Sequence, residues 1–191
     1  NALKFYAEKF DNQVLDTIKV SQQEIEEAIN LVDEELKIAI NTAKNNIEKF
    51  HQSQKEIPQQ IETTEGVVCW RESRAIDKVG LYIPGGTAPL FSTVLMLAVP
   101  AQIAGCKEII LCSPPQKNGK INPIILYVAN LCRVSKIFKV GGAQAIAAMS
   151  LGTETVPKVY KIFGPGNQFV TEAKIFAQKL GIAIDMPAGP S

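Results

Sequence analysis

Five turns carry the residues whose types and spacing could do chemistry in this chain. They are "PGGTAP" (84–89), "SPPQKNGK" (113–120), "GGAQAI" (141–146), "GPGNQF" (164–169) and "PAGPS" (187–191). Four of the five hold Gly or Pro-Gly beside a small polar residue, which an ordinary strand-to-helix loop does not need. Glycine lets backbone N–H groups approach a ligand, and a helix N-terminus attracts negative charge. The turns therefore predict a rim that binds a phosphate-bearing or otherwise anionic ligand, with plain structural corners as the alternative.

Three polar side chains at these turns are the candidate ligand contacts. Tyr82 comes just before Pro-Gly-Gly, near the end of a strand, where it could present its ring to a base or simply fill the core. Gln144 and Asn167 each begin a helix after a glycine turn and offer both a donor and an acceptor. Helix N-capping is the competing interpretation, and it is strongest for Asn167.

The usual nucleotide-binding fingerprints are not met. "GPGNQF" places Phe169 where the third glycine of G-x-G-x-x-G would stand, and no G-x-x-x-x-G-K-[ST] occurs. No acidic residue closes the run "EIILCSPP" to hold a ribose hydroxyl. A dinucleotide bound at this rim would therefore be bound in an unusual way.

Catalytic and metal-binding patterns are not evident. The only histidine, His51, is far in sequence from the turns, so no Ser or Cys has a histidine to activate it. Glu172 and Asp185 have no evident partner. The four cysteines, at positions 69, 106, 112 and 132, form no C-x-x-C pair. This spacing argues against a closed zinc site. The apolar surroundings of Cys106, Cys112 and Cys132 favour small buried thiols in a reducing cytoplasm over disulfides or nucleophiles.

The elements that must position these residues read as alternating strands and helices. The strand-like runs are "VGLYIP" (79–84), "EIILCSP" (108–114), "KIFKVG" (136–141), "VYKIFG" (159–164) and "IAIDMP" (182–187), with "VVCW" (67–70) as a short leading strand. Helical patterns separate them, although Pro100 is expected to kink or split the first helix. The alternation predicts an α/β fold with a doubly wound, mainly parallel, Rossmann-like sheet.

A helical arm over residues 1–57 precedes this α/β domain, which covers 58–191. Ser21 and Glu24 form a capping box, and Asp33 could cap a further helix. The apolar stripe that follows is read equally well as a subunit interface or as packing on the same domain. The net charge is +1 and no apolar run reaches transmembrane length, so neither nucleic acid nor a membrane is expected as a partner.

Read together, the turns resemble the histidinol dehydrogenase family. The resemblance rests on "VGLYIPGGTAPLFSTVLMLAVPAQIAGC", "ILCSPP", "VGGAQAIAAMSLGTETVPKVYKIFGPGNQFVTEAK" and "IDMPAGPS", in the family's order, and extends to "ALKFYAEKFD" and "NIEKFHQSQ" in the arm. Gln168 stands where many members have Ala. The match indicates an interior piece of a longer protein, because the family's earliest N-terminal segment and its C-terminal part have no counterpart.

The resemblance implies a zinc-containing, NAD-dependent enzyme that oxidises L-histidinol to L-histidine in two hydride transfers. It implies that Tyr82, Gln144 and Asn167 contact NAD and that Ser191 contacts the substrate. It also implies cytoplasmic homodimers, with zinc ligands and acid/base residues beyond Ser191, so no catalytic or metal-binding residue is assigned within the chain. The chain alone is then expected to be inactive, and the alternative is a non-catalytic nucleotide-binding or assembly module.

Overall fold

A five-stranded parallel sheet forms the centre of the molecule. The computed structural model describes residues 1–86 and 88–186. The strands of this sheet are β3 (Lys78–Tyr82), β4 (Glu108–Ser113), β5 (Lys136–Lys139), β6 (Lys161–Phe163) and β7 (Ala183–Ile184). Their order across the sheet is β5-β4-β3-β6-β7, with every neighbouring pair parallel. The α/β fold with a mainly parallel sheet is therefore confirmed.

Seven helices surround the sheet in the part of the chain that the structure describes. They are α1 (Ala2–Asp11), α2 (Gln22–Leu31), α3 (Glu34–Gln52), α4 (Phe91–Ala104), α5 (Pro123–Leu131), α6 (Gly142–Leu151) and α7 (Gln168–Lys179). From β3 onward, strands and helices alternate along the chain in the order β3, α4, β4, α5, β5, α6, β6, α7 and β7. Two crossovers run from β3 to one edge, and the chain then returns to the other side of β3. The strand order reverses between β3 and β6, which is the switch point of a doubly wound sheet.

Successive side chains of a strand point to opposite faces of the sheet, and each face is covered by its own cluster of buried apolar residues. On β3, Val79 and Leu81 pack into a cluster with α4 and α5, whereas Tyr82 packs into a second cluster with α6 and α7. Gly80 lies on the Tyr82 face, where an added Cβ would come within 2.6 Å of the Met149 sulfur. The glycine in the middle of the strand is thus required by close packing of α6 against the sheet.

Helices α2 and α3 pack on the same domain rather than leaving their stripe unpartnered. Ala28 and Ile40 are buried in the cluster formed by α4 and α5. The segment before α2 also covers the sheet edge, because the Val20 N–H donates to Ile137 O (2.9 Å) and the Lys139 N–H donates to Ile18 O (2.8 Å). The arm therefore shields an edge strand that would otherwise offer unpaired backbone groups.

The helix ends follow the sequence signals closely. Ser21 and Glu24 form a full capping box on α2, and the Asp33 carboxylate accepts the Leu36 N–H at the start of α3. Asn122 caps α5, which has Pro123 at its first position. These interactions satisfy N–H groups that have no partner within the helix.

Helix α4 is not split at Pro100 but continues to Ala104, so of the two expected effects of this proline the split is wrong and the kink stays a prediction. One strand also differs from the sequence expectation. Val67–Trp70 forms β2 of a separate antiparallel hairpin with β1 (Gln60–Thr64), not a leading strand of the sheet. Every residue of the two hairpin strands is exposed.

Candidate functional site

A cleft of 920 Å³ lies at the carboxyl edge of the sheet. Its walls come from the turns after β3, β4, β5 and β6 and from the end of α1. Tyr82, Gln144 and Asn167, which are far apart in sequence, all line it. Four of the five turns of the predicted rim thus line one cavity, placed where ligands bind in doubly wound sheets, and the fifth, "PAGPS", lies outside the described residues.

Tyr82 joins two walls of the cleft. It is the last residue of β3 and only 3% exposed, so most of its ring is packed in the core instead of facing a ligand. Its hydroxyl accepts a hydrogen bond from the Gly142 N–H (2.9 Å). Burial raises the pKa of the phenol, the Gly142 hydrogen bond opposes this, and the nearby Asp11 and Cys112 add to the rise. The hydroxyl therefore keeps its proton near neutral pH and can donate it into the cleft.

The start of α6 forms the second wall. Its N-cap, Gly141, provides no side-chain hydrogen bond, and Gly142, Ala143 and Gln144 all line the cleft. The Gln144 side chain folds back over its own helix end, because a Cβ on Gly142 would lie 2.8 Å from Gln144 Oε1. The Tyr82 hydroxyl already accepts the Gly142 N–H. The N–H groups of Ala143 and Gln144, which follow in the same first turn and line the cleft, are therefore the ones suited to hold an anionic group.

Asn167 begins α7 on the opposite wall. Its side-chain oxygen accepts the Val170 N–H (3.1 Å), so the N-capping interpretation is correct. The side chain is nevertheless exposed and lines the cleft. Because the cap uses only the oxygen, the amide NH₂ remains available as a donor.

The backbone N–H and carbonyl of Gly164, at the end of β6, are held by one buried and one half-buried charge. Its carbonyl accepts a hydrogen bond from Lys174 Nζ (2.9 Å), and its N–H donates to Asp185 Oδ2 (2.8 Å). Lys174 and Asp185 also form an ion pair with each other. A Cβ at Gly164, which has a φ of 135°, would overlap the main-chain carbonyl of Tyr82. The turn that presents Asn167 is thus fixed to β3, α7 and the segment after β7.

The base of the cleft consists of backbone and proline. The Pro114 ring lies between two glycines, since an added Cβ would approach it within 2.7 Å at Gly85 and 2.6 Å at Gly141. Any side chain at either position would displace the ring. These glycines are therefore explained by packing around Pro114, and they bring the turns after β3, β4 and β5 together.

Other expected residues lie elsewhere or outside the described part of the chain. The whole of "PAGPS", including Ser191, falls outside the described residues, as does Thr87. His51 is on α3, where its Nδ1 is 2.7 Å from Gln54 Oε1. Within residues 1–86 and 88–186, no group of three His, Cys, Asp or Glu side chains could hold a metal ion, and no helix has the length and apolarity needed to cross a membrane.

Three of the four cysteines are unsuited to nucleophilic chemistry. Cys112 and Cys132 are buried, and burial raises their pKa values to about 12 and about 11. Cys106 is half-buried, and burial raises its pKa as well. The expectation of buried thiols, which are inert when the pKa is raised, is thus confirmed for Cys112 and Cys132 and only in part for Cys106. Cys69 is exposed on β2.

Sequence reasoning missed the contribution of α1 to the cleft. Phe10 and Asp11, at the end of that helix, line the cavity together with the glycine turns. Nothing local in "KFDNQ" indicates a ligand contact, because the two residues meet the cleft only through the packing of α1 against α6. A second hollow, of 790 Å³, lies along the hairpin of β1 and β2 but has no glycine turn or helix start in its lining.

Comparison with known proteins shows where the chain belongs. A family model described as histidinol dehydrogenase matches residues 1–191. The chain is 63% identical over 186 residues to histidinol dehydrogenase of Bacteroides thetaiotaomicron, covering 97% of this chain and 44% of that protein. It is 60% identical over 190 residues to the Pasteurella multocida enzyme, covering 100% of this chain and again 44% of the relative.

A solved structure gives the same result. The crystal structure of histidinol dehydrogenase from Elizabethkingia anophelis matches with a TM-score of 0.97 and 63% identity, covering 100% of this chain and 44% of that one. The chain thus spans less than half the length of the relatives it matches. Its fold, its turns and the whole of its sequence place it in one group: the chain belongs to the histidinol dehydrogenase family.

Proposed function

We propose that this chain forms the NAD-binding side of a histidinol dehydrogenase, which oxidises L-histidinol to L-histidine. The observation that carries the proposal is the meeting of Tyr82, Gln144 and Asn167 in one cleft at the switch point of the sheet. Family membership supports it, since relatives that match the whole chain carry this enzyme's name. The helical segment 1–57 is proposed as an arm that supports the cofactor-side domain over 58–191.

The chemistry of the cleft fits a dinucleotide. Its lining joins apolar surface from Phe10, Leu90 and Phe169 with the polar start of α6. The first turn of α6, where Tyr82 accepts only the Gly142 N–H, would hold the pyrophosphate, which needs N–H donors and a positive dipole end. The Tyr82 hydroxyl, the Gln144 amide and the Asn167 amide would then orient the two nucleosides along the turns. The G-x-G-x-x-G glycines are not needed for this arrangement, because the turns after β3, β4 and β5 already pack closely together around Pro114.

Bound NAD would supply the hydride acceptor for both oxidation steps. The residues of this chain bind and orient it: α6 holds negative charge, and the phenol of Tyr82 stays protonated as a donor. The described residues do not fit zinc, because they include no cluster of three suitable ligands. We assign zinc binding and proton transfer to the part of the relatives that this chain does not match, and we expect this chain alone to produce no NADH from histidinol. Ser191 is proposed as a substrate contact, and a cytoplasmic homodimer is proposed for the whole enzyme.

Isothermal titration calorimetry with NAD tests the proposal. Asn167→Asp keeps the oxygen that caps α7 but removes the NH₂ donor and adds negative charge, so NAD affinity should fall by about 10-fold or more at unchanged stability. Gln144→Ala should weaken NAD binding by roughly 5- to 10-fold. The matched control is Gln178→Ala on the exposed side of α7, which should bind NAD normally. Equal affinities in all four proteins would refute the assignment of this cleft.

A further inference from the structure

Asp11 lies in the cleft without a partner. It is the last residue of α1, which ends at Asn12 in the left-handed conformation with φ 53°. Its Oδ2 atom is buried and makes no hydrogen bond to any described residue, and no ion pair of Asp11 occurs within the same residues. Buried polar atoms without partners are rare in native proteins, so this oxygen needs an explanation.

Folding does not explain the position of this carboxylate. A negative charge at the C-terminal end of a helix is repelled by the helix dipole. Burial adds to the penalty, and it raises the pKa of the carboxyl group. Asn12 already supplies the left-handed residue that ends the helix. An amide or hydroxyl side chain at position 11 would therefore suit α1 better than the carboxylate does.

The sheet topology places Asp11 where a ribose hydroxyl needs an acceptor. In doubly wound dinucleotide sites, an acidic residue near the end of the second strand accepts from the ribose of the adenosine half. Here the corresponding strand is β4, which runs into Pro114 and Pro115, and neither residue can accept through its side chain. Asp11 lines the cleft together with both prolines, and it is near enough to Tyr82 to influence its ionisation.

We propose that Asp11 accepts hydrogen bonds from the adenosine ribose hydroxyls of NAD and repels the 2′-phosphate of NADP. The proposal rests on the proposed function, since it needs NAD in this cleft. The ribose diol presents two O–H donors, and a carboxylate with a vacant oxygen accepts them without disturbing another bond. A 2′-phosphate at the same place would bring like charges together in a partly buried site. The acidic residue missing after β4 is thus supplied from α1, far away in the sequence.

Affinities of the whole chain for four ligands test this assignment. NAD, NADP, ADP and 2′-deoxy-ADP are titrated calorimetrically into the wild type, Asp11→Asn and the control Asp16→Asn, whose side chain is exposed just beyond α1. Wild type and control should bind NAD at least 10-fold tighter than NADP, and ADP about 10-fold tighter than 2′-deoxy-ADP. In Asp11→Asn both ratios should shrink to about 3-fold or less.

Each outcome supports or overturns a named part of the proposal. If NAD binds and neither affinity ratio changes in Asp11→Asn, the role of Asp11 is overturned, while the proposal that NAD binds in this cleft is retained. If Asp11→Asn changes the affinity for NAD but not the ratio of the affinities for ADP and 2′-deoxy-ADP, Asp11 does not contact the adenosine ribose. If the wild type binds neither NAD nor ADP, the proposed function and this proposal fail together. Should Asp11→Asn not fold by circular dichroism, the wild-type ratios still decide, because equal binding of ADP and 2′-deoxy-ADP contradicts a contact with the 2′-hydroxyl.

Discussion

Replacing Lys174 with methionine tests whether the turn after β6 depends on buried charge. Lys174 is 5% exposed, and its ammonium group contacts both the Gly164 carbonyl and the Asp185 carboxylate. Methionine keeps much of the aliphatic volume but removes the cation. Asp185 would then be left beside the Gly164 N–H without a compensating charge, and the Gly164 carbonyl would lose its donor.

The expected loss follows from how far each partner is buried. Removing one member of a fully buried ion pair typically destabilises a protein by about 3–5 kcal/mol. The side chain of Asp185 keeps 28% of its exposure, so water can compensate part of the loss. We therefore expect about 2–4 kcal/mol, which corresponds to a fall in melting temperature of roughly 5–15 °C for a chain of this size.

Urea unfolding followed by circular dichroism measures the change. The control is Lys179→Met, which alters an exposed lysine in the last turn of the same helix and should cost about 0.5–1 kcal/mol through the helix dipole. In the double variant Lys174→Met with Asp185→Asn, the loss should be smaller than in Lys174→Met, because the unpaired charge is gone. A loss below about 1 kcal/mol for Lys174→Met, or strict additivity in the double variant, would refute the reasoning.

Three further predictions follow from other parts of the molecule. Gly164→Ala should destabilise the chain by about 3 kcal/mol or more, measured by thermal unfolding, because a Cβ would overlap a carbonyl of β3 at a φ reserved for glycine. Gly181→Ala, where nothing lies within 4 Å of the added carbon, should cost only about 1–2 kcal/mol, and equal losses would contradict the overlap argument. Glu24→Gln should cost about 1–3 kcal/mol at pH 7, and the difference from the wild type should vanish as the pH falls through the lowered pKa of Glu24 in the folded chain. Burial raises the carboxyl pKa of Glu24, but hydrogen bonds from Lys139 and the Ser21 backbone outweigh burial, so the net pKa is lowered. The stability advantage of the wild type is therefore present above the unfolded pKa and is lost on acidification. A difference that does not depend on pH would contradict this. Thiol titration of the native chain should label the exposed Cys69 at least about 100-fold faster than the buried cysteine of β4, and comparable rates would show that the sheet opens readily.

Local signals predicted the elements well, because the residues that encode them are neighbours in sequence. The capping box at Ser21 and the Asn122-Pro123 start each define one helix end within four residues. Runs of β-branched residues predicted all five strands of the sheet. Pro100 did not split α4, because whether a helix continues past a proline depends on the packing around it, which the sequence does not show. The β1–β2 hairpin was half missed because polar "QIETT" carries no strand pattern of its own.

The cleft could be predicted only in part. Tyr82, Gln144 and Asn167 follow strands, and parallel topology alone brings strand ends to one edge. Asp11 could not be predicted in this way, because it ends a helix outside the strand–helix alternation. Its place in the cleft depends on the packing of α1 against α6, a contact between residues more than 100 positions apart. The Lys174–Asp185 pair was missed for a similar reason, since Asp185 has no evident partner within its own segment and Lys174 lies on the preceding helix.

The wedging of Pro114 between Gly85 and Gly141 has a consequence for the thermodynamics of binding. Glycine has no side-chain torsions and proline has almost none, so this surface loses little conformational entropy when it is covered. A surface built from long polar side chains would lose roughly 0.5–1.5 kcal/mol for each one immobilised. The cleft thus presents a preorganised face, and more of the contact energy is retained as affinity.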